Sequence, residues 1–171
     1  SVLSSVIRET DKLCIFINGC YGERMLDICK KNNINAVFNK IPYNKSFNEH
    51  HVSKVLEEDN NISHVAVVHC ETTTGILNNI KEIGMYLKNR NTTYIVDAMS
   101  SFGGENIDMN TYNIDYLISS SNKCLHGPPG VSFCIANKEK LKECKNISGT
   151  LSLDLYDQWK NFEETSQFRF T

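Results

Sequence analysis

Short continuous apolar runs alternate along the chain with longer segments whose apolar residues recur every three or four positions. Leu13-Cys14-Ile15-Phe16-Ile17 is the clearest run, bounded by Asp11-Lys12 and Asn18-Gly19. Unbroken apolarity of that length predicts a strand buried on both faces. Further short strands are predicted over residues 34–38, 63–69, 92–96, 115–118 and 131–136. Helical spacing appears over residues 22–32, where Met25, Leu26, Ile28 and Cys29 share a face ahead of Lys30-Lys31-Asn32-Asn33. It recurs over 47–58, with Val52, Val55 and Leu56 inward, and over 76–88, where positions 76, 77, 80, 83, 84 and 87 form a stripe. Asn137 is placed to cap a short helix to 145, and a last helix is predicted over 153–164.

Strands alternating with helices predict the α/β class: a mostly parallel, mixed sheet flanked by helices, with right-handed crossovers. A chain of 171 residues is long enough for one domain with a sizeable core. Ligands in such sheets bind outside the carboxyl ends of the strands. The polar groups of interest sit there. Residues 18–21 follow the first strand, residues 69–74 the third, Asp97 the fourth and residues 119–123 the fifth.

A formal net charge of −2 gives no footprint for nucleic acid or for an anionic membrane surface. No apolar run approaches a membrane span, and the first eight residues lack the charged and apolar regions of a signal peptide. Seven cysteines, none in Cys-x-x-Cys spacing, argue against a disulfide framework and for reduced thiols in a cytoplasmic protein. The Asn-x-Ser/Thr triplets at 44, 61, 91 and 146 carry little meaning without a secretory signal. No metal site is expected. His69-Cys70-Glu71 has one half of a zinc deaminase signature but lacks the Pro-Cys-x-x-Cys half. Glu49-His50-His51 reads as a solvated helix face. Gly-x-Gly-x-x-Gly and Walker loops are absent.

Two positions change the picture. Lys123 lies in Ser119-Ser120-Ser121-Asn122-Lys123-Cys124, between a strand end and the turn Gly127-Pro128-Pro129-Gly130, and Asp97 ends the run Tyr94-Ile95-Val96-Asp97. A loop lysine and a strand-end carboxylate are the two protein groups that pyridoxal 5'-phosphate chemistry needs. The amine forms a Schiff base with the aldehyde, and the acid keeps the pyridine nitrogen protonated. Most loop lysines are solvated charges, and most aspartates after strands cap a turn. Partial burial of Lys123 is expected here, because desolvation lowers an amine's pKa and frees its lone pair. Glu71-Thr72-Thr73-Thr74-Gly75 offers hydroxyls ahead of a helix, as a capping loop, a ligand loop or both. Tyr21 suits either the core or the face of a planar cofactor.

At these residues the chain resembles the class V aminotransferases of pyridoxal phosphate fold-type I. Within that group it resembles the 2-aminoethylphosphonate–pyruvate transaminases. The resemblance is carried by Asn18-Gly19-Cys20-Tyr21-Gly22-Glu23-Arg24-Met25, His69-Cys70-Glu71-Thr72-Thr73-Thr74-Gly75, Val96-Asp97-Ala98-Met99-Ser100-Ser101-Phe102-Gly103-Gly104, Ile114-Asp115-Tyr116-Leu117-Ile118-Ser119-Ser120, Asn122-Lys123-Cys124 and Ser152-Leu153-Asp154-Leu155-Tyr156-Asp157-Gln158-Trp159. It implies that Lys123 is the Schiff-base lysine and proton shuttle, and that Asp97 pairs with the pyridine nitrogen. Tyr21 would stack on one ring face and Met99 pack under the other. Thr72 would bond near the ring oxygen or phosphate, and Asn122 would contact the phosphate. Thr171 would reach the phosphate in a neighbouring subunit, which implies a homodimer.

The resemblance also implies a Gly-Ser-Gly phosphate turn just before Ser1 and a small domain, carrying a substrate-binding arginine, just past Thr171. Residues 1–171 are therefore expected to be a piece of the large cofactor-binding domain, binding cofactor weakly and turning over little. The implied reaction moves an amino group from 2-aminoethylphosphonate to pyruvate. The turn Leu125-His126-Gly127-Pro128-Pro129 differs from the small polar pair expected of such enzymes. The alternatives are a class V transaminase of the alanine/serine–glyoxylate type, or an inactive module serving only in oligomerisation.

Overall fold

All of Leu13–Ile17 is buried in the computed structural model, which describes residues 1–168. In chain order the elements are α1 (Val2–Val6), β1 (Leu13–Ile17), α2 (Cys20–Lys31), β2 (Ala36–Lys40), α3 (Glu49–Glu58), β3 (His64–Val68), β4 (Cys70–Glu71), β5 (Ile76–Leu77), α4 (Ile80–Leu87), β6 (Thr93–Asp97), β7 (Tyr116–Ser120), β8 (Ser132–Ala136), α5 (Lys138–Lys142) and α6 (Leu155–Thr165). A six-stranded sheet runs β2-β1-β3-β6-β7-β8, and β4 with β5 forms a small hairpin. Every neighbouring pair of the large sheet is parallel except β7 with β8. The mixed, helix-flanked sheet expected from the alternating pattern is therefore the fold.

The period of two along each strand divides its side chains between two cores. Cys14 and Phe16 of β1, Val65 and Val67 of β3, and Tyr94 and Val96 of β6 pack beneath Val52 and Leu56 of α3 and Ile80, Ile83 and Leu87 of α4. Leu13, Ile15 and Ile17, Ala66 and Val68, and Ile95 face the other way, onto α1, Met25, Leu26 and Cys29 of α2, and Leu141 of α5. Each fully buried Leu, Ile, Val or Phe side chain is worth about 1.5–3 kcal/mol of transfer free energy. Such two-sided burial is why the strands read as unbroken apolar runs.

This layering also places the site. After β1 the chain crosses one face through α2 to reach β2. It then crosses the other face through α3 to reach β3 on β1's far side. The connections leaving β1 and β3 run to opposite sides, to β2 and to β6, which opens a crevice at the carboxyl ends of β1 and β3.

The helix expected over 76–88 begins only at Ile80. The amides of Thr74 and Gly75 donate back to the Glu71 carbonyl at 3.1 and 2.9 Å, and Gly75 adopts φ +71°, a conformation that costs a residue without Cβ little. That turn folds Ile76–Leu77 against Cys70–Glu71 as a hairpin. The Asn79 side chain then accepts from the Glu82 amide and starts α4. β2 starts two residues later than its apolar run suggests, and α1 had no counterpart in the sequence reading.

Candidate functional site

Asp97 ends β6 and Lys123 lies just beyond the carboxyl end of its parallel neighbour β7. β6 and β7 pair with Asp97 opposite Ile118, and Lys123 follows Ser120, the last residue of β7, by three positions. The two loops touch. The Cys124 thiol donates to the Ser100 carbonyl at 3.5 Å, and a Cβ on Gly104 would come within 2.9 Å of Cys124 Sγ. The aspartate and the lysine therefore occupy one edge of the sheet and one loop cluster.

Asp97 is half-buried, and its Oδ1 accepts the Met99 amide at 2.9 Å. Its Oδ2 has no hydrogen-bond partner among the described residues. Burial pushes the carboxyl above its ordinary value of 3.8, the nearby Glu71 adds to that, and the Met99 amide and Arg24 oppose it. A desolvated carboxylate with one open oxygen favours a cationic or N–H donor, and a protonated pyridine nitrogen is one. Met99 is half-buried beside it in the Ala98–Glu105 loop, while Tyr21 remains 39% exposed at the first turn of α2. Tyr21 is therefore not a core residue. Thr72 and Asn122 are exposed at the same edge. An acid for a ring nitrogen, two side chains suited to ring faces, hydroxyl and amide donors and a free amine thus fit pyridoxal phosphate.

One expectation fails. Lys123 is exposed, not partly buried, and its Nζ makes no hydrogen bond or ion pair with the described residues. The loop is held by Ser121 N–H to the Val131 carbonyl at 3.1 Å and Gly127 N–H to the Ser121 carbonyl at 2.7 Å. Thr171 lies outside the described residues. The seven cysteines are all free, but only Cys14, Cys29 and Cys144 are buried. Burial pushes the Cys14 thiol up to about 12 and the Cys29 thiol to about 11. His51 is more than part of a solvated face: its Nδ1 lies 2.8 Å from Asn48 Oδ1 in the cap of α3.

Three polar arrangements at this edge had no assigned role in the sequence. Asn18 and Asn78 bond each other reciprocally at 2.8 and 3.2 Å, and Asn78 also donates to the Val68 carbonyl at 2.8 Å. Glu71 is fully buried against the start of α2. His69 is buried, with Nδ1 2.8 Å from Ser101 Oγ. The signal available for all three was a polar residue immediately after a strand reading as buried.

Burial lowers His69 from its ordinary value of 6.5 against a weaker opposing pull from Glu105, and burial likewise lowers His64 against Asp11. The unfolded chain takes up protons near 6.5 that the folded chain refuses, so stability held above that pH is lost as pH falls below it. Asp97 and Asp115, raised from 3.8, carry the opposite slope just above 3.8. The thermal midpoint is expected to climb between about pH 5 and 6.5 and then level off. His69→Gln is expected to flatten the climb, and a midpoint independent of pH over that interval would contradict the assignment.

A cleft of about 580 Å³ opens at the opposite, amino edge of the sheet, lined by Arg90, Thr92, Asp115, Asn137 and Lys140 among others. It contains none of Tyr21, Thr72, Asp97, Met99, Asn122 and Lys123. Its carboxylate is already engaged, accepting from the Tyr94 amide at 2.9 Å and from Asn137 Nδ2 at 3.3 Å. Among the described residues no helix is long and apolar enough to cross a membrane.

The aminotransferase class-V model matches residues 2–168 of the chain. A 2-aminoethylphosphonate–pyruvate transaminase of Lysinibacillus sphaericus is 48% identical over 171 residues, covering 100% of this chain and 47% of the relative. A bifunctional phosphonoacetaldehyde hydrolase/aminoethylphosphonate transaminase of Clostridioides difficile is 48% identical over 172 residues, covering 100% of this chain and 27% of its own length. Among solved structures, pyridoxamine–pyruvate aminotransferase of Mesorhizobium loti superposes with a TM-score of 0.88 at 26% identity, covering 98% of this chain and 44% of that one. The chain thus spans about half the length or less of the relatives it matches.

Proposed function

The chain belongs to the class V aminotransferases, and on that premise we propose that it serves pyridoxal phosphate-dependent transfer of the amino group of 2-aminoethylphosphonate to pyruvate, giving phosphonoacetaldehyde and alanine. The observation that carries the reading is the placement of Lys123 and the half-open carboxylate of Asp97 at the ends of adjacent parallel strands. The names of the 48%-identical relatives support the substrates. In this reading residues 1–171 are the large, cofactor-binding domain, and the site is completed in a homodimer. The exposure of Lys123, Asn122 and Thr72 supports a site that other groups cover. Free thiols throughout support a cytoplasmic location.

When bound, pyridoxal phosphate supplies an aldehyde that takes up amines and a ring that absorbs the electron pair left by a departing proton. Asp97 Oδ2 would accept a hydrogen bond from the ring nitrogen and hold its proton. Tyr21 and Met99 would hold the ring from its two faces, and Thr72 and Asn122 would donate to its oxygens. Lys123 Nζ would supply the anchoring amine and the base that takes up and returns the proton at the substrate carbon bearing nitrogen.

The test is alanine formation by the full chain supplied with pyridoxal phosphate, 2-aminoethylphosphonate and pyruvate, compared with glycine formation from alanine or serine and glyoxylate. The phosphonate pair is expected to lead in kcat/KM by at least about tenfold, since a site built for a charged group rejects a donor lacking it. A lead for glyoxylate moves the chain to the alanine/serine–glyoxylate branch. No cofactor uptake at all leaves only the oligomerisation module.

A further inference from the structure

Glu71 is fully buried, and its carboxylate serves a helix that begins about fifty residues earlier in the chain. Its oxygens accept the Tyr21 amide at 3.2 and 3.1 Å and the Gly22 amide at 3.2 Å. Thr73 Oγ1 donates to Oε1 at 2.9 Å and itself accepts the Cys20 amide at 3.2 Å. The first three amides of α2, which a helix cannot satisfy itself, are thus all taken by the β4–β5 turn. A cap ordinarily comes from the residue just before the helix. That residue is Gly19, whose missing side chain leaves the space Glu71 occupies: a Cβ there would lie 1.9 Å from Glu71 Cγ.

The two loops joined in this way carry the two residues that the proposed function sets on the cofactor from this side. Tyr21 owns the amide that donates to both carboxylate oxygens, and Thr72 follows Glu71 directly. Neither Tyr21 nor Thr72 is fixed by packing, since both are exposed. With its amides saturated by a carboxylate, the start of α2 also has no donors left for the phosphate of a cofactor, although a helix N-terminus is ordinarily an anion site.

We infer that Glu71 is a positioning residue: it pins Tyr21 and Thr72 to one another so that the aromatic ring and the hydroxyl meet the cofactor together. This rests on the functional reading above. The experiment is a double-mutant cycle on pyridoxal phosphate affinity in the full chain, paired with amide hydrogen exchange without cofactor. Tyr21→Ala and Glu71→Ala are each expected to weaken binding by about tenfold, and the double variant by little more than either, since both remove the same contact. Glu71→Gln keeps one oxygen at the Tyr21 amide and is expected to recover most of the loss. It also carries the cycle should Glu71→Ala not fold. Exchange at Tyr21 and Gly22 is expected to speed up in Glu71→Ala while β1 and β3 stay protected. Multiplicative losses near about a hundredfold, an unchanged affinity in a folded Glu71→Ala, or unaltered exchange would overturn the role, since independent sites simply add in free energy. A wild-type chain that takes up no pyridoxal phosphate overturns the functional reading itself, and this role with it.

Discussion

In Lys123→Ala the visible absorption that pyridoxal phosphate acquires on the wild-type chain is expected to vanish, and transamination to fall by about a thousandfold or more, as loss of a positioned acid–base group and covalent anchor demands. Free cofactor absorbs as well, so the informative signal is the shift on binding. The unfolding midpoint should hardly move, because Lys123 is exposed and its Nζ makes no hydrogen bond or ion pair with the described residues. Surface substitutions of this kind stay within about 0.5 kcal/mol. Retained absorption together with retained turnover would place the anchoring amine elsewhere.

Asp97→Asn is expected to separate function from stability. The amide keeps an oxygen for the Met99 N–H but cannot hold a proton on the ring nitrogen, so turnover should drop by at least about a hundredfold. Without cofactor the same change should stabilise the chain. It removes a half-buried carboxylate whose charge burial disfavours and that has one oxygen unpartnered. A gain of about 1 kcal/mol corresponds to a rise of about 2–4 °C at this length. The gain should shrink as pH falls into the range where the raised wild-type carboxyl takes up its own proton. A lower midpoint at neutral pH would mean that the ionised carboxylate is paid for by a partner within the fold.

These outcomes also show where the sequence was informative. β1, β3 and β6 were legible because two-sided burial forces unbroken apolar runs, and those same runs delimit the edge on which Asp97 and Lys123 sit. The start of α4 was not legible, because Ile76 and Leu77 fall on its helical stripe by coincidence while their backbone is committed to the turn at Gly75. Strand order could not be read either, since pairings such as Val68 with Asp97 and Asp97 with Ile118 join segments distant in sequence. Within the site, Asp97 and Lys123 stood out by residue type at strand ends. Glu71, Asn78 and Ser101 did not, because their importance lies in donors and acceptors that only the folded chain brings together. The exposure of Lys123 was misjudged for a related reason: a Gly/Pro turn signals a tight loop but does not show what covers it.

The most direct test of the central claim is to incubate the full chain with pyridoxal phosphate, reduce it with borohydride and locate the modified peptide by mass spectrometry. The predicted result is one reduced cofactor per chain, on Lys123, with labelling lost in Lys123→Ala and weakened in Asp97→Asn. Labelling confined to another lysine, or spread evenly over the exposed lysines, would contradict it.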